Sequence, residues 1–286
     1  MEYTILENKR VKGDYFKLIL DVPGGEPAPV QGQFYTIRCS EGTDPLLRRP
    51  LSVHRIVEEK DFLHLEILYR VVGRGTRWIS NRQEGQTLDA LGPLGNGFIL
   101  PPKGKDVVLV AGGIGIAPLF AVGDHVHKTR PGAKVSVVLG ARNRTENFYE
   151  EECRALGEIF AATDDGSHGF KGTVVKLLAQ LLEENRISGK ASFFACGPKG
   201  MLRALARVSE THALSVQVSL EEKMACGFGA CLSCALPLKP DRVRKGPQWP
   251  KSFLQRDEEG KLLYSLLCKD GPVYDIQEVD WDEWLA

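Results

Sequence analysis

The chain has 286 residues, of which 43% are apolar and 26% charged, the composition of an ordinary globular protein with two or three domains. Its 37 basic and 37 acidic side chains cancel, so the charge balance gives no reason to expect nucleic acid or an acidic membrane surface as a partner. No apolar run approaches the roughly 18 residues of a membrane span, and no signal segment opens the chain, so we expect no membrane association and a cytoplasmic location.

The first third of the chain is predicted to form short strands. Alternating or β-rich runs, separated by Gly and Pro clusters, cover residues 3–7, 15–22, 33–39, 51–57, 62–72 and 87–91. Five or six such strands favour a closed antiparallel β-barrel, which we place at residues 1–100.

Three motifs in this third predict a ligand with phosphates and a flat ring. They are Arg49-Pro50-Leu51-Ser52 leading into a strand, Leu68-Tyr69-Arg70 on the next strand, and Gly75-Thr76 at the start of a helix. Arginine can bind a pyrophosphate as a bidentate fork, tyrosine offers a flat face and a hydroxyl, and a glycine turn opening a helix binds anions. A structural barrel with a capped helix would also contain such residues, so each motif alone is weak.

Residues 101–217 are predicted to alternate between strands and helices. Residues 106–111 form a nearly continuous apolar strand, typical of a parallel sheet covered on both faces. A G-x-G-x-x-P pattern of Gly113, Gly115 and Pro118 follows at once, and a helix comes next. Strand, glycine turn and helix are the context of a dinucleotide site, and proline suits the first position of a helix.

Two further features of this half have a functional and a structural interpretation. Arg142 and Arg144 follow the next strand, where they could bind the 2′-phosphate of NADPH or lie in solvent as loop arginines. Cys196-Gly197-Pro198 ends the last strand of the sheet. Ligands bind at the carboxyl ends of parallel strands, although a lone cysteine there is often only a buried structural residue.

Four cysteines near the C-terminus form the most informative pattern of the chain. They are Cys226, Cys231 and Cys234 in the spacing C-x4-C-x2-C, and the distant Cys268. This spacing is that of a plant-type [2Fe–2S] cluster, and Gly227 and Gly229 suit a loop wrapped tightly around one. Zinc is the main alternative, although structural zinc usually takes two C-x2–4-C pairs. Disulfides fit poorly, since the seven cysteines are odd in number and nothing marks the chain as secreted.

With its motifs in this order, the chain resembles the ferredoxin–NAD(P)+ reductase superfamily. Nearly its whole length is similar to the electron-transfer subunits of class B dihydroorotate dehydrogenase. The resemblance implies an FAD-binding barrel, an NAD-binding α/β domain with Cys196 near the nicotinamide, and a small [2Fe–2S] domain at residues 218–286. It also implies electron transfer between NAD(H) and an FMN-containing catalytic subunit, in a heterotetramer of pyrimidine biosynthesis. This role needs no general acid or base, and we predict no catalytic residue.

Two other functions remain open on the sequence. An NAD(P)H:ferredoxin or sulfide/sulfite reductase subunit would use the same scaffold, and a zinc-stabilised nucleotide-binding module would use the same cysteines. The separation of Cys234 from Cys268 is also longer than the resembled family usually carries. We expect its Pro- and charge-rich segment, residues 237–262, to be either a solvated insertion or a partner surface anchored by Trp249.

Overall fold

The computed structural model describes residues 1–60, 62–243, 254–256 and 262–285. Its N-terminal part is a seven-stranded antiparallel sheet with the strand order β4-β3-β7-β1-β2-β6-β5. The strands are β1 (Glu2–Lys12), β2 (Tyr15–Asp21), β3 (Phe34–Ile37), β4 (Arg49–Ser52), β5 (Arg55–Glu59), β6 (Phe62–Arg70) and β7 (Thr87–Leu94), and helix α1 (Arg74–Ser80) precedes β7. Alternate side chains such as Ile5, Leu18 and Ile67 are completely buried in its interior, and the predicted antiparallel barrel is confirmed.

One strand prediction was wrong, because a single predicted strand is two strands in the structure. Residues 51–57, expected as a single strand, belong to β4 and β5, which are separated at Val53 and His54. The chain leaves the sheet at His54, whose ring bonds to residues outside the barrel. Its ring lies fully buried between the barrel and the next domain.

The central part is a parallel sheet with helices packed against it. Its elements are β8 (Val107–Gly112), α2 (Ile116–Thr129), β9 (Val135–Ala141), α3 (Glu150–Arg154), β10 (Glu158–Thr163), β11 (Phe170–Lys171), α4 (Val174–Glu183), β12 (Ser192–Cys196), α5 (Lys199–Thr211) and β13 (Ser215–Ser219). From β8 the chain moves to β9 on one side and later returns to β12 on the other. This reversal opens a crevice at the carboxyl ends of β8 and β12, the place where such sheets bind ligands.

The C-terminal part adds a second, smaller sheet and extends the central one. Its elements are β14 (Ala235–Pro237), β15 (Leu254–Arg256), β16 (Leu262–Leu266), α6 (Leu267–Asp270), β17 (Val273–Asp275) and α7 (Trp281–Leu285). Strands β14, β16 and β15 pair with one another, whereas β17 pairs antiparallel with β13. The last part of the chain is therefore tied to the nucleotide sheet. None of the helices in the described parts of the chain has the length and apolar character needed to cross a membrane.

Buried polar contacts hold the barrel against helix α2. The His54 ring nitrogens lie 2.9 Å from the carbonyl of Ala117 and 2.7 Å from the hydroxyl of Tyr149. Beside this pair, Arg55 lies 3.2 Å from Asp124 of the same helix. These contacts fix the position of the barrel relative to α2.

The barrel is joined to the C-terminal part through Asn96. Its side-chain amide donates to the carbonyls of Asp270 (2.9 Å) and Val273 (3.1 Å), and its carbonyl oxygen accepts from the Val273 N–H (3.0 Å). The neighbouring Gly95 has φ +72°, and a Cβ there would lie 2.4 Å from the Gly271 carbonyl. Only glycine permits this approach, so the barrel and the segment that carries Cys268 are held in one fixed relation.

Candidate cofactor sites

A cleft of about 270 Å³ opens where the barrel meets the nucleotide domain. Nine of the residues predicted to bind cofactors line it: Arg49, Pro50, Leu51, Ser52, Leu68, Tyr69, Arg70, Thr76 and Pro118. Apolar Phe34, Leu220 and Pro272 complete its walls. Two guanidinium groups beside an apolar slot suit a pyrophosphate and a flat ring, so the residues present fit FAD.

Gly75 acts in this cleft through Arg49 and does not line it. A Cβ on Gly75 would lie 2.7 Å from Nε of Arg49. Because glycine has no side chain, the guanidinium can occupy this space. The same guanidinium donates to the carbonyl of Leu47 at 2.5 Å. Thr76 has a local role, because its hydroxyl accepts from the N–H groups of Val72 (3.0 Å) and Gly73 (3.3 Å) and caps α1.

Tyr69 presents its ring to the cleft but turns its hydroxyl away. The side chain is 1% exposed, and the hydroxyl donates to Oδ1 of Asn8 at 3.0 Å. Burial raises the pKa of this phenol. The sequence suggested that Tyr69 offers the ligand both a flat face and a hydroxyl. The ring borders the cleft, whereas the hydroxyl is bonded to Asn8.

A larger cleft, of about 620 Å³, lies at the carboxyl ends of β8 and β12. Gly113, Gly115, Gly197 and Pro198 line it. A Cβ on Gly115 would lie 2.1 Å from the carbonyl oxygen of Cys196, so the second glycine of the motif is required where α2 starts against β12. Gly115 thus lets the start of α2 pack directly against the end of β12, at the edge of the cleft.

Pro118 occupies a different place from the one its pattern predicts. It is the third residue of α2, not the first, and it lines the smaller cleft, beside the barrel. The missing N–H of Pro118 still removes no hydrogen bond from the helix, because the N–H groups of the first turn have no intrahelical acceptors.

Cys196 and Arg144 lie outside the lining of the larger cleft. Cys196 is 1% exposed behind the turn formed by Gly197 and Pro198, and burial raises the pKa of its thiol. Arg142 lines the cleft, whereas the backbone N–H of Arg144 is bonded to the Ser167 hydroxyl at 2.8 Å. Of the two arginines considered for a 2′-phosphate, only Arg142 therefore lines the cleft.

Sequence reasoning missed Glu221, which lines both clefts together with Arg70 and Ile114. Glu221 is exposed at the border of the two clefts, and desolvation by the neighbouring protein raises the pKa of its carboxyl. Its position just after β13, at the carboxyl end of a parallel strand, is a signal from which the sequence could have identified it as a site residue.

Trp284 of the C-terminal helix is a second residue that the sequence did not identify as part of a site. It lines the larger cleft, its indole N–H donates to Glu222 at 2.9 Å, and the Lys199 ammonium lies 4.0 Å from its ring centroid. Lys199 and Glu222 also pair at 2.7 Å. Burial opposes ionisation of Glu222, but its bonds to Lys199 and Trp284 outweigh this and lower its pKa. The last helix is thus fixed as a wall of the nucleotide cleft.

The four cysteines come together as two pairs. Hydrogen bonds link Cys226 with Cys231 and Cys234 with Cys268. The Ser233 hydroxyl, 3.2 Å from the Cys231 sulfur, is the main cause that lowers the pKa of Cys231 to about 6. The hydrogen bond from Cys268 lowers the pKa of Cys234 to about 6 and raises that of Cys268.

This arrangement fits a two-iron cluster better than a single ion. Among the described residues, no group of three or more His, Cys, Asp or Glu side chains converges so as to hold one metal ion. A [2Fe–2S] cluster asks for two cysteine sulfurs on each iron, which the two pairs supply. Gly227 (φ +83°) and Gly229 (φ +91°) have the positive φ angles expected of a loop around a cluster.

Comparison with known proteins agrees with this division of the chain. Residues 109–207 match the family model described as the oxidoreductase NAD-binding domain. Residues 221–245 match the iron–sulfur cluster binding domain of dihydroorotate dehydrogenase B. Among solved structures, one described as an NADH-dependent reduced ferredoxin–NADP oxidoreductase, studied for flavin-based electron bifurcation, aligns with a TM-score of 0.78 and 27% identity. The alignment covers 99% of this chain and 91% of that one.

The fold and its sites define an oxidoreductase of the ferredoxin reductase type that uses FAD, NAD and an iron–sulfur cluster. Two relatives are named dihydroorotate dehydrogenase B (NAD(+)), electron transfer subunit. The one from Caldanaerobacter subterraneus subsp. tengcongensis is 37% identical over 98% of both chains. The one from Bacillus caldolyticus is 41% identical over 87% of this chain and 86% of that one. The chain belongs to the family of dihydroorotate dehydrogenase B electron transfer subunits.

Proposed function

We propose that the chain passes electrons between NAD(H) and the FMN-containing catalytic subunit of a dihydroorotate dehydrogenase, through FAD and a [2Fe–2S] cluster. The two kinds of subunit would form a heterotetramer in the cytoplasm and serve pyrimidine biosynthesis. The bound cofactors supply hydride acceptance and the change from electron pairs to single electrons. The residues of the chain bind these groups, orient them and exclude water from the contact between them.

One observation supports this order of transfer above all. The two clefts share the wall residues Arg70, Ile114 and Glu221, so a nicotinamide in the larger cleft meets a flavin in the smaller one. At the other side of the flavin cleft, Met224 stands in the wall only two residues before the cluster cysteine Cys226. Nucleotide, flavin and cluster sites therefore follow one another without a break.

The far side of the cluster loop supports an exit towards a partner protein. Cys231 is exposed, and the two large apolar side chains beside it, Phe228 and Leu232, are 56% and 60% exposed. Exposed apolar residues around a redox centre favour contact with another subunit. The insertion considered as a partner surface, with Trp249, lies mostly outside the described residues.

Reconstitution with the catalytic subunit tests the proposal. We expect the purified, anaerobically handled chain to show flavin and iron–sulfur absorption and to be reduced by NADH. With the FMN subunit added, dihydroorotate should drive NAD+ reduction, while either protein alone should not. A mixture that forms a stable complex but gives no orotate-linked NAD+ reduction would contradict the proposal.

A ferredoxin-linked reductase subunit is the second candidate function. The structural similarity to the NADH-dependent reduced ferredoxin–NADP oxidoreductase and the position of Arg142 in the nucleotide cleft favour it. It predicts rapid electron exchange with free ferredoxin. The same reconstitution, run with ferredoxin in place of the FMN subunit, separates the two functions.

A further inference from the structure

Thr36 carries a buried hydroxyl that the fold does not use. The side chain lies on β3 and is 2% exposed, and among the described residues its Oγ1 has no hydrogen-bond partner. Only the backbone of Thr36 is engaged, since its carbonyl accepts from Arg48 at 3.4 Å. Buried polar groups are nearly always paired, so a native hydroxyl of this kind calls for an explanation.

The Thr36 side chain faces the cysteine loop, not the interior of the barrel. Tyr35 and Ile37, on either side of it in β3, belong to the barrel core, so Thr36 points to the opposite face. A Cβ on Gly227 would lie 2.9 Å from the Thr36 methyl carbon and 3.8 Å from its Oγ1. With φ +83° at Gly227, the loop comes so close to this strand that only glycine fits beside Thr36.

Backbone N–H groups near the four cysteines already donate to the cysteine sulfur atoms. The Ala230 N–H donates to the Cys226 sulfur at 3.3 Å, and the Cys268 N–H donates to the Cys234 sulfur at 3.4 Å. On the barrel side, the Thr36 side chain lies against Gly227, the residue that follows Cys226. We propose that the Thr36 hydroxyl donates a hydrogen bond to a sulfur atom at the Cys226 side of the bound cluster. This inference rests on the proposed role of the four cysteines.

Such a bond makes Thr36 a residue that tunes the cluster. A donor to sulfur stabilises the more negative, reduced cluster, so it raises the reduction potential and favours transfer from the flavin. Because the bond is stronger to the reduced cluster, we expect its loss to lower the equilibrium constant for cluster reduction by up to about tenfold, which corresponds to about 59 mV for one electron.

A redox titration of the intact holoprotein, followed by electron paramagnetic resonance, tests the proposal. Thr36→Val keeps the shape of the side chain without the hydroxyl, and we expect its cluster to titrate at a lower potential than the wild type. Thr36→Ser, which keeps the hydroxyl, should stay near the wild-type potential. Thr4→Val, an exposed threonine on β1, is the matched control and should change nothing. Thr36→Ala provides a second variant without the donor if valine disturbs the loop.

A second measurement does not depend on activity. Pulsed hyperfine spectra in H₂O and D₂O should show one exchangeable proton coupling in the wild type that is absent from Thr36→Val. Equal potentials and equal proton couplings in the two proteins would overturn the inference while leaving the cluster assignment intact. A wild-type protein without any cluster signal would instead overturn the role of the cysteines, and this inference with it.

Discussion

At the residue scale, the flavin cleft depends on the absence of a side chain at Gly75. Arg49 occupies the space that a side chain on Gly75 would fill, with only 2.7 Å between the guanidinium Nε and a would-be Cβ. Arg49 and Gly75, 26 positions apart in the chain, therefore form a single structural unit, in which the glycine gives the arginine its position.

We expect Arg49→Ala to weaken FAD binding about ten- to a hundredfold, because charge-assisted hydrogen bonds contribute about 1.5–3 kcal/mol each. Gly75→Ala should weaken it by about tenfold, since the guanidinium must move but keeps its charge. Fluorescence titration of the deflavinated protein with FAD measures both. The exposed Arg38, outside the cleft, gives the control variant Arg38→Ala, and an effect there as large as that of Arg49→Ala would argue against a specific role.

At the scale of the elements, helix α2 is placed by a neutral histidine. Burial between the barrel and α2 is the main cause that lowers the pKa of His54 to about 4, against the opposing effect of the Ala117 carbonyl. Lys17 and Arg55 lower the pKa further, and Asp124 raises it slightly. At neutral pH the ring is uncharged, and it can therefore serve both the Ala117 carbonyl and Tyr149.

This pKa predicts an acid-labile domain contact. Between pH 6.5 and about 4 the unfolded chain binds a proton at His54 that the folded chain excludes, so stability falls as the pH falls. The contribution of this one group is roughly 1 kcal/mol per pH unit. It is absent above pH 6.5, where the ring is neutral in both states.

Urea unfolding of the intact protein at a series of pH values measures this effect. We expect His54→Gln to be less stable than the wild type at pH 7.5, and to lose less stability on acidification. His212→Gln, on the partly exposed C-terminal end of α5, is the control and should follow the wild-type slope. Identical pH slopes for His54→Gln and wild type would show that His54 does not titrate as described.

The C-terminal helix is the second element with a function beyond packing. Because Trp284 is held by Glu222 and Lys199, it forms a fixed wall of the nucleotide cleft. We expect Trp284→Ala to raise the KM for NADH about three- to tenfold, in line with the contribution of one aromatic contact, with little change in kcat. Leu285→Ala on the same helix is the control. An unchanged KM in Trp284→Ala would remove the helix from the nucleotide site.

At the scale of the whole molecule, the cluster site depends on both ends of the C-terminal part. Cys268 comes from α6 and Cys234 from the loop before β14, and both are buried, at 1% and 2% exposure. Cys268→Ser should therefore lose the cluster but keep FAD, which binds in a separate cleft. Iron and flavin analysis of the purified variant measures this. Cys153→Ser, a buried cysteine of the nucleotide domain, should keep both groups. An intact cluster spectrum in Cys268→Ser would mean another fourth ligand.

The sequence by itself determined those features that depend on short stretches of chain. The C-x4-C-x2-C run, the strand before Gly113 and the motif at Arg49 each place their chemistry within a few residues, where turn geometry and spacing decide the outcome. The domain limits at residues 1–100, 101–217 and 218–286 stay a prediction, since β17 crosses from the third part into the sheet of the second.

Only the tertiary structure decided which distant residues meet. The wall formed by Trp284, the shared position of Glu221, the burial of Cys196 and the approach of Thr36 to Gly227 each join segments far apart in the chain. No periodicity or spacing in the sequence records such contacts, because they depend on how the barrel, the parallel sheet and the C-terminal part pack together. That packing is held by His54 and Asn96, whose hydrogen bonds are made across domains.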